Sequence, residues 1–302
     1  MTKWTADQIP GQDGRLAIVT GANSGLGLFT ALELARRGAE VVVACRSVEK
    51  GATAAAEIRK TAAGPEPVVA ALDLASLESV RAFAAGFAGR RVDLLVNNAG
   101  VMMTPRQVTR DGFELQFGTN HLGHFALTGR LLDSLRQSDS PRIVTVSSTE
   151  HRGGKLDFDD LALERSYNPR GAYQRSKLAN ALFAVELDRR LRAAHSPIVS
   201  AFAHPGYSDT NLQSTGPTGL MKTMLAVSNK LLAQSAERGA LPTLYAATAP
   251  GIEGGGYYGP DGIGEMRGFP KQVKAIPDAY DAELGAKLWA VSEELTGVSY
   301  GL

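Results

Sequence analysis

The chain has 302 residues, 44% of them hydrophobic, enough to bury roughly three quarters of the unfolded-chain surface in one large domain or two small ones. Its 32 Lys and Arg against 31 Asp and Glu leave a formal charge of +1, so nothing in the balance calls for nucleic acid or another polyanion as partner. The single cysteine, Cys45, excludes an intrachain disulfide, and no apolar run approaches the ~20 residues of a membrane span, so a soluble cytoplasmic protein without an integral membrane segment is expected.

In chain order, short runs rich in β-branched residues predict buried strands at 16–20, 41–45, 67–73, 93–98, 142–148 and 199–205, with a seventh at 255–259. After the first of them, Leu28, Ala31, Leu32 and Ala35 form one stripe of a helix that Gly38 stops. Helical patterns also start near Ser76 and Leu122. This alternation predicts the α/β class: a single domain over 1–302, built on a doubly wound parallel sheet with helices on both faces. Two stretches break the rhythm. Residues 149–171 are polar and turn-rich. Residues 208–239 begin as a loop and continue with an apolar face that includes Met221, Met224, Leu225, Leu231 and Leu232. Each stretch reads either as cover for a pocket or as a plain surface excursion.

The run "TGANSGLG", 20–27, joins the first strand to the first helix. Gly21 permits a tight turn, and Gly25 and Gly27 permit close approach of backbone to ligand and of helix to sheet. Free amides at a helix start can face a pyrophosphate, which makes Gly21, Asn23, Ser24, Gly25, Leu26 and Gly27 candidate cofactor residues. The second strand ends at Cys45, where an acidic residue would take the ribose hydroxyls of NAD. Arg46 follows instead, and its donor fork suits a 2′-phosphate, so NADP(H) is the expected cofactor.

The run "YQRSK" sets Tyr173 and Lys177 one helical turn apart, on one face. A nearby ammonium favours the phenolate and tunes the phenol as a proton donor or acceptor. The spacing alone is common in chains of any function. No Gly-x-Ser-x-Gly elbow supports a hydrolase, and the five histidines lack zinc-like spacing, so no metal is expected. His121 and His124 are expected to pack or hydrogen-bond on their helix, and His204 to be positional.

Taken in order, the Gly-x-x-x-Gly-x-Gly turn, "NNAG" at 97–100, Asn120, the serine pair Ser147 and Ser148, the Tyr/Lys pair and "HPGYSDT" at 204–210 resemble the short-chain dehydrogenase/reductase family. The resemblance runs from residue 15 to about 258. It is nearest to the retinol dehydrogenase and protochlorophyllide reductase-like subgroup, through "ACRSVEKG", "NNAGVMM" and the long run between Ser148 and Tyr173. It implies a Rossmann fold, with Asp73 and Leu74 near the adenine and with Asn98, Ala99 and Gly100 near the cofactor. Pro205, Gly206 and Thr210 would position the nicotinamide. It implies Tyr173 as acid and base, Lys177 as its tuner and ribose ligand, Ser148 (or Ser147) on the substrate oxygen, and Asn120 holding a relay water. The substrate implied is a small to medium lipophilic carbonyl or alcohol, with Met102, Met103, Phe158 and Tyr207 as candidate pocket residues. The rivals are a family member acting on a steroid, sugar derivative or conjugated double bond, and a nucleotide-binding protein without turnover. A homo-oligomer is compatible with the resemblance.

Overall fold

In the computed structural model, which describes residues 3–208 and 234–302, β1 (Leu16–Thr20) is buried at all five positions. A strand needs this when helices cover both faces of its sheet. Leu16 and Ile18 enter one core and Ala17 and Val19 the other, following the two-residue period of a strand. β2 (Glu40–Cys45), β3 (Val68–Ala71), β4 (Leu94–Asn97), β5 (Arg142–Val146), β6 (Val199–Ala203) and β7 (Tyr257–Pro260) join β1 in parallel, and β8 (Pro270–Val273) closes the edge antiparallel to β7. The order is β3-β2-β1-β4-β5-β6-β7-β8. It reverses between β1 and β4, which opens a crevice at their carboxyl ends. All seven expected strands overlap observed ones. β8 was not foreseen, because "PKQV" is short, partly exposed and polar.

Helices α1 (Gly25–Arg36) and α2 (Val48–Arg59) pack on the Ala17 face. On the other face lies α3 (Leu77–Ala85). There too, α4 (Leu115–Phe117) runs through a π turn at Gly118–Leu122 into α5 (Gly123–Arg130) and α6 (Leu132–Leu135). α7 (Pro169–Ala193) crosses the same face. Asn168 caps it by accepting from the Gly171 amide at 2.8 Å, and Pro169 sits at its first position. α8 (Ala236–Thr248) returns to the α1 side. α9 (Ala282–Thr296) lies over α5 and α7. Its Trp289 ring is 5.1 Å from Phe125, and Tyr300 beyond it donates to the Phe125 carbonyl at 2.6 Å.

The expected excursion at 149–171 is only partly a surface feature. Leu156, Phe158 and Leu161 pack against the cluster around Phe117 and Leu182, and the Tyr167 hydroxyl donates to the Thr104 carbonyl at 2.7 Å. Of the second excursion, residues 209–233, including its five named apolar side chains, lie outside the described residues. No helix among the described residues is long and apolar enough to cross a membrane.

One buried ion pair ties these parts together. Glu114 accepts from the Gln116 and Phe117 amides, which starts α4. Its Oε2 lies 3.2 Å from Nη2 of Arg175 on α7. Arg175 also donates to the Asp160 carbonyl at 3.3 Å and lies over the Phe117 ring. Both side chains are almost wholly buried, at 0% and 3% exposure. Removing one member strands the other charge in the interior. Glu114→Ala is therefore expected to lower the unfolding free energy by about 3–5 kcal/mol, read from a urea melt. A loss under about 1 kcal/mol would show that the pair does not hold α4 to α7.

Candidate active site

A cleft of about 1050 Å³ follows the carboxyl ends of the strands, and its two ends differ in chemistry. At one end the turn after β1 carries Gly21 at φ +67° and Gly25 at φ +55°, a region that favours glycine. A Cβ on Gly27 would come within 2.5 Å of both Asn98 Nδ2 and the Gly21 carbonyl, so nothing larger fits there. Ser24 starts α1 without a side-chain cap, which leaves first-turn amides facing the cleft.

Arg46 lies exposed at the same end and makes no ion pair among the described residues, with Lys50 and Thr53 of α2 beside it. Asp73 and Leu74 line the wall; Asp73 Oδ1 accepts from the Ala75 amide at 3.1 Å. Glycines with positive φ and uncapped helix amides together fit a dinucleotide, and the guanidinium of Arg46 makes no ion pair among the described residues. Cys45 is buried, its thiol donating to the Ser47 carbonyl at 3.2 Å, and burial pushes the thiol pKa up. Lys50 was missed in the sequence. Its one signal was its place, one turn into the helix after Arg46.

β1 and β4 are joined across the crevice by the Thr20 hydroxyl. It accepts from the Asn98 and Ala99 amides, each at 2.9 Å, while Asn98 Nδ2 donates to the Thr20 carbonyl at 2.7 Å. Asn97 turns away from the cleft and donates to Thr128 Oγ1 at 3.0 Å.

At the other end, β5 leads into the serine pair. Ser147 Oγ donates to the Lys177 carbonyl at 2.8 Å, which fixes it as a brace between strand and helix. Ser148 is half-buried and caps the turn Thr149–Gly153 by accepting from the Glu150 amide at 3.2 Å. Its side chain also acts on the Tyr173 phenol, pulling the phenol pKa down. His151 fixes this turn from behind: its Nδ1–H donates to the Ser148 carbonyl at 2.6 Å, and its Nε2 accepts from the Ile276 amide at 3.4 Å. No motif in the sequence pointed to His151.

Tyr173 and Lys177 face the cleft from α7, with Lys177 Nζ 5.7 Å from the phenol ring centre. Burial is the dominant influence on both. It raises the phenol pKa, against the pull of the Ser148 side chain, with the Glu150 carboxylate adding to the rise. It lowers the Lys177 ammonium to about 8. Lys177 Nζ donates to the Val146 carbonyl at 3.0 Å.

Asn120 does not line the cleft. Its side chain accepts from the Val101 amide at 2.8 Å and donates to the Val101 carbonyl and Ser176 Oγ, each at 2.9 Å. Its own carbonyl accepts from His124 Nδ1 at 2.9 Å.

Three further segments also line the cleft. Pro205, Gly206 and Tyr207 follow β6. Met102 and Met103 follow the Asn–Asn–Ala–Gly turn, and Gly264, Glu265 and Met266 follow β7. His204 holds the first and last of these together. Its Nδ1 accepts from the Gly206 amide at 3.1 Å and its Nε2–H donates to Glu265 at 3.0 Å, where Arg152 also donates at 2.8 Å. The expected pocket residue Phe158 is a correction. It is absent from the cleft lining because it packs in the core cluster under α7, with the Lys287 ammonium over its ring at 4.5 Å. Thr210 lies outside the described residues. No group of three or more His, Cys, Asp or Glu that could hold a metal occurs among the described residues.

Comparison with known proteins matches this geometry. A family model described as short chain dehydrogenase matches residues 15–219. The human protein named retinol dehydrogenase 13 is 45% identical over 94% of this chain and 85% of its own length. The mouse polyprenol dehydrogenase is 43% identical over 97% and 87% respectively. A solved chain from Mycobacterium paratuberculosis is 44% identical over the full length of both, with a TM-score of 0.84. With the glycine turn, the serine and the Tyr/Lys pair arranged on one cleft of a doubly wound sheet, the chain belongs to the short-chain dehydrogenase/reductase family and is related to its retinol dehydrogenase-like members.

Proposed function

We propose that the protein is an NADP(H)-dependent oxidoreductase that interconverts a lipophilic aldehyde or ketone and its alcohol, working in the cytoplasm and mainly as a reductase. One observation carries this reading: Ser148, Tyr173 and Lys177 meet at one end of the cleft whose other end is marked by Arg46. Gly21 to Gly27, Asp73, Leu74 and the Asn98–Gly100 turn would hold the dinucleotide, with Arg46 and Lys50 on a 2′-phosphate and Pro205 and Gly206 beside the nicotinamide end. Bound there, the cofactor supplies the hydride.

Ser148 donates to the substrate oxygen and stabilises charge as it develops. Tyr173 gives that oxygen its proton. Burial keeps the phenol protonated, which suits donation in reduction better than abstraction in oxidation. Lys177 remains charged below about pH 8 and offsets the phenolate left behind. Asn120 acts from behind the cleft wall by fixing Val101 and Ser176.

The substrate end supports a lipophilic body. Apart from Lys177, its charged groups are already paired, Glu150 with Arg170 and Glu265 with Arg152, and Met102, Met103, Tyr207 and Met266 supply apolar contacts. The relatives named for retinol and polyprenol agree with that reading. Any pairing of two copies would use a face other than the one α9 covers on α5 and α7.

On an aldehyde accepted from a panel of lipophilic carbonyls, Tyr173→Phe is expected to cut turnover by about 10²–10⁴-fold. Near-native turnover would reject Tyr173 as the proton donor. Arg46→Ala is expected to weaken NADPH binding by about 10–100-fold and to leave NADH affinity within about threefold, as for loss of a charge-assisted contact. An unchanged NADPH dissociation constant would remove the phosphate assignment. For reduction, kcat/KM is expected to fall as pH rises through about 8, because Lys177 loses its charge there, and Lys177→Arg should carry that limb upward. A flat native profile between about pH 6 and pH 10 would exclude Lys177 as the charged partner.

A further inference from the structure

Behind the cleft wall lies a buried histidine with no part in the reaction as described. His124, on α5, is 0% exposed, yet both ring nitrogens have partners. Nδ1 lies 2.9 Å from the Asn120 carbonyl, an oxygen that can only accept, so Nδ1 carries the proton. Nε2 lies 2.9 Å from the Thr20 hydroxyl. That hydroxyl accepts from two amides, those of Asn98 and Ala99, so its own proton is free to go to the bare Nε2. Its other acceptor, the Val96 carbonyl, is longer, at 3.3 Å. Every polar atom in this chain then has a role and a direction. Burial, with the Lys177 charge nearby, holds the imidazole pKa down to about 4, so the ring stays neutral and its proton stays on Nδ1.

The two ends of the bridge are the two halves of the site. Thr20 and Asn98 belong to the turns that would hold the dinucleotide. Asn120 lies in the π turn that meets Gly100 and Val101, and a Cβ on Gly100 would sit 3.0 Å from Asn120 Oδ1 and 3.8 Å from Lys177 Nζ. Any displacement of Thr20 would therefore be passed to Asn120 through one rigid ring.

We infer that His124 is a positioning residue that couples the dinucleotide-binding turn to Asn120, through a single imidazole hydrogen-bonded to the Thr20 hydroxyl and the Asn120 carbonyl. The inference rests on the proposed reaction only in giving Asn120 a part in it; the bridge itself can be tested without turnover.

The ¹⁵N spectrum of the native protein at neutral pH is expected to show the His124 ring protonated on Nδ1 and bare on Nε2; the opposite tautomer would overturn the bridge. His124→Asn keeps a donor near the Asn120 carbonyl and loses the acceptor for Thr20. It is expected to weaken NADPH binding by about 3–10-fold, as for one neutral hydrogen bond, and to move kcat by a smaller factor. His124→Gln reaches toward Thr20 and loses the donor to Asn120, so kcat should fall by the larger factor. Parallel changes in both constants in both variants would mark His124 as packing alone and sink the proposal. Thr20→Val gives a third arm. Placed on that background, His124→Asn is expected to change NADPH affinity by less than about twofold, and additive losses would overturn the coupling. Should Tyr173→Phe keep full turnover, the reaction reading fails, while the tautomer and the affinity cycle still decide the bridge.

Discussion

The site depends on how the sheet is closed at its switch point. β1 and β4 pair along Ala17 to Val19 and then separate, and the amides that follow β4 have no strand partner left. The Thr20 hydroxyl takes both of them, and Asn98 returns a bond to the Thr20 carbonyl. This local closure fixes where the two glycine-bearing turns stand. Gly27 must lack a side chain because Asn98 Nδ2 occupies the space, so the first helix docks against the same asparagine that locks the fourth strand. A cleft for an extended ligand follows from strand order and from one hydroxyl that satisfies groups the order leaves unpaired.

The reacting end is governed by a different constraint, which is desolvation. Burial moves the phenol of Tyr173 up and the ammonium of Lys177 down, the two directions that discourage charge on either. Spacing along the helix leads one to expect a lysine that simply pulls the tyrosine toward neutrality. The geometry is more balanced: Ser148 is the group that lowers the phenol, and Glu150, held by Arg170 at 2.9 Å, opposes it. A carboxylate this close is tolerated because Arg170 and Gln174 already neutralise and fill its oxygens. The proton thus rests on the phenol.

Much of this was legible in the sequence, because its parts are local. Seven strands announced themselves as apolar runs, the glycine turn by its position between strand and helix, and the Tyr/Lys pair by one helical turn. The expected cofactor residues from Gly21 to Gly100 all border one cleft. What was not legible depends on contacts far apart in the chain. His151 supports Ser148 only because Ile276 reaches it from 125 residues away, and Glu265 enters the cleft only because His204 and Arg152 meet it there. Phe158 misled because an aromatic in a loop beside a site looks the same whether it faces ligand or core. α9 could have been found. Asp281 caps it, accepting from the Glu283 and Leu284 amides, and Gly297 ends it at φ +62°, both ordinary helix signals.

α9 also changes how the helix that carries Tyr173 and Lys177 is held. α7 carries Tyr173 and Lys177 near its start, and its middle is buried between the sheet and α9. Phe125, Phe183, Trp289 and Tyr300 form one aromatic cluster that joins α5, α7, α9 and the segment after it. The same α5 starts directly after Asn120's π turn, so the cluster fixes the helices behind both Asn120 and the Tyr/Lys pair. A helix covered on both sides has little freedom to slide. The distance between Tyr173 and Ser148 is then set by packing many residues away rather than by the polar loop that connects them. This explains how a run of 24 residues can separate the serine from the tyrosine without loosening the site: Glu114, Arg175 and the aromatic cluster position the helix, and the loop need only span the gap.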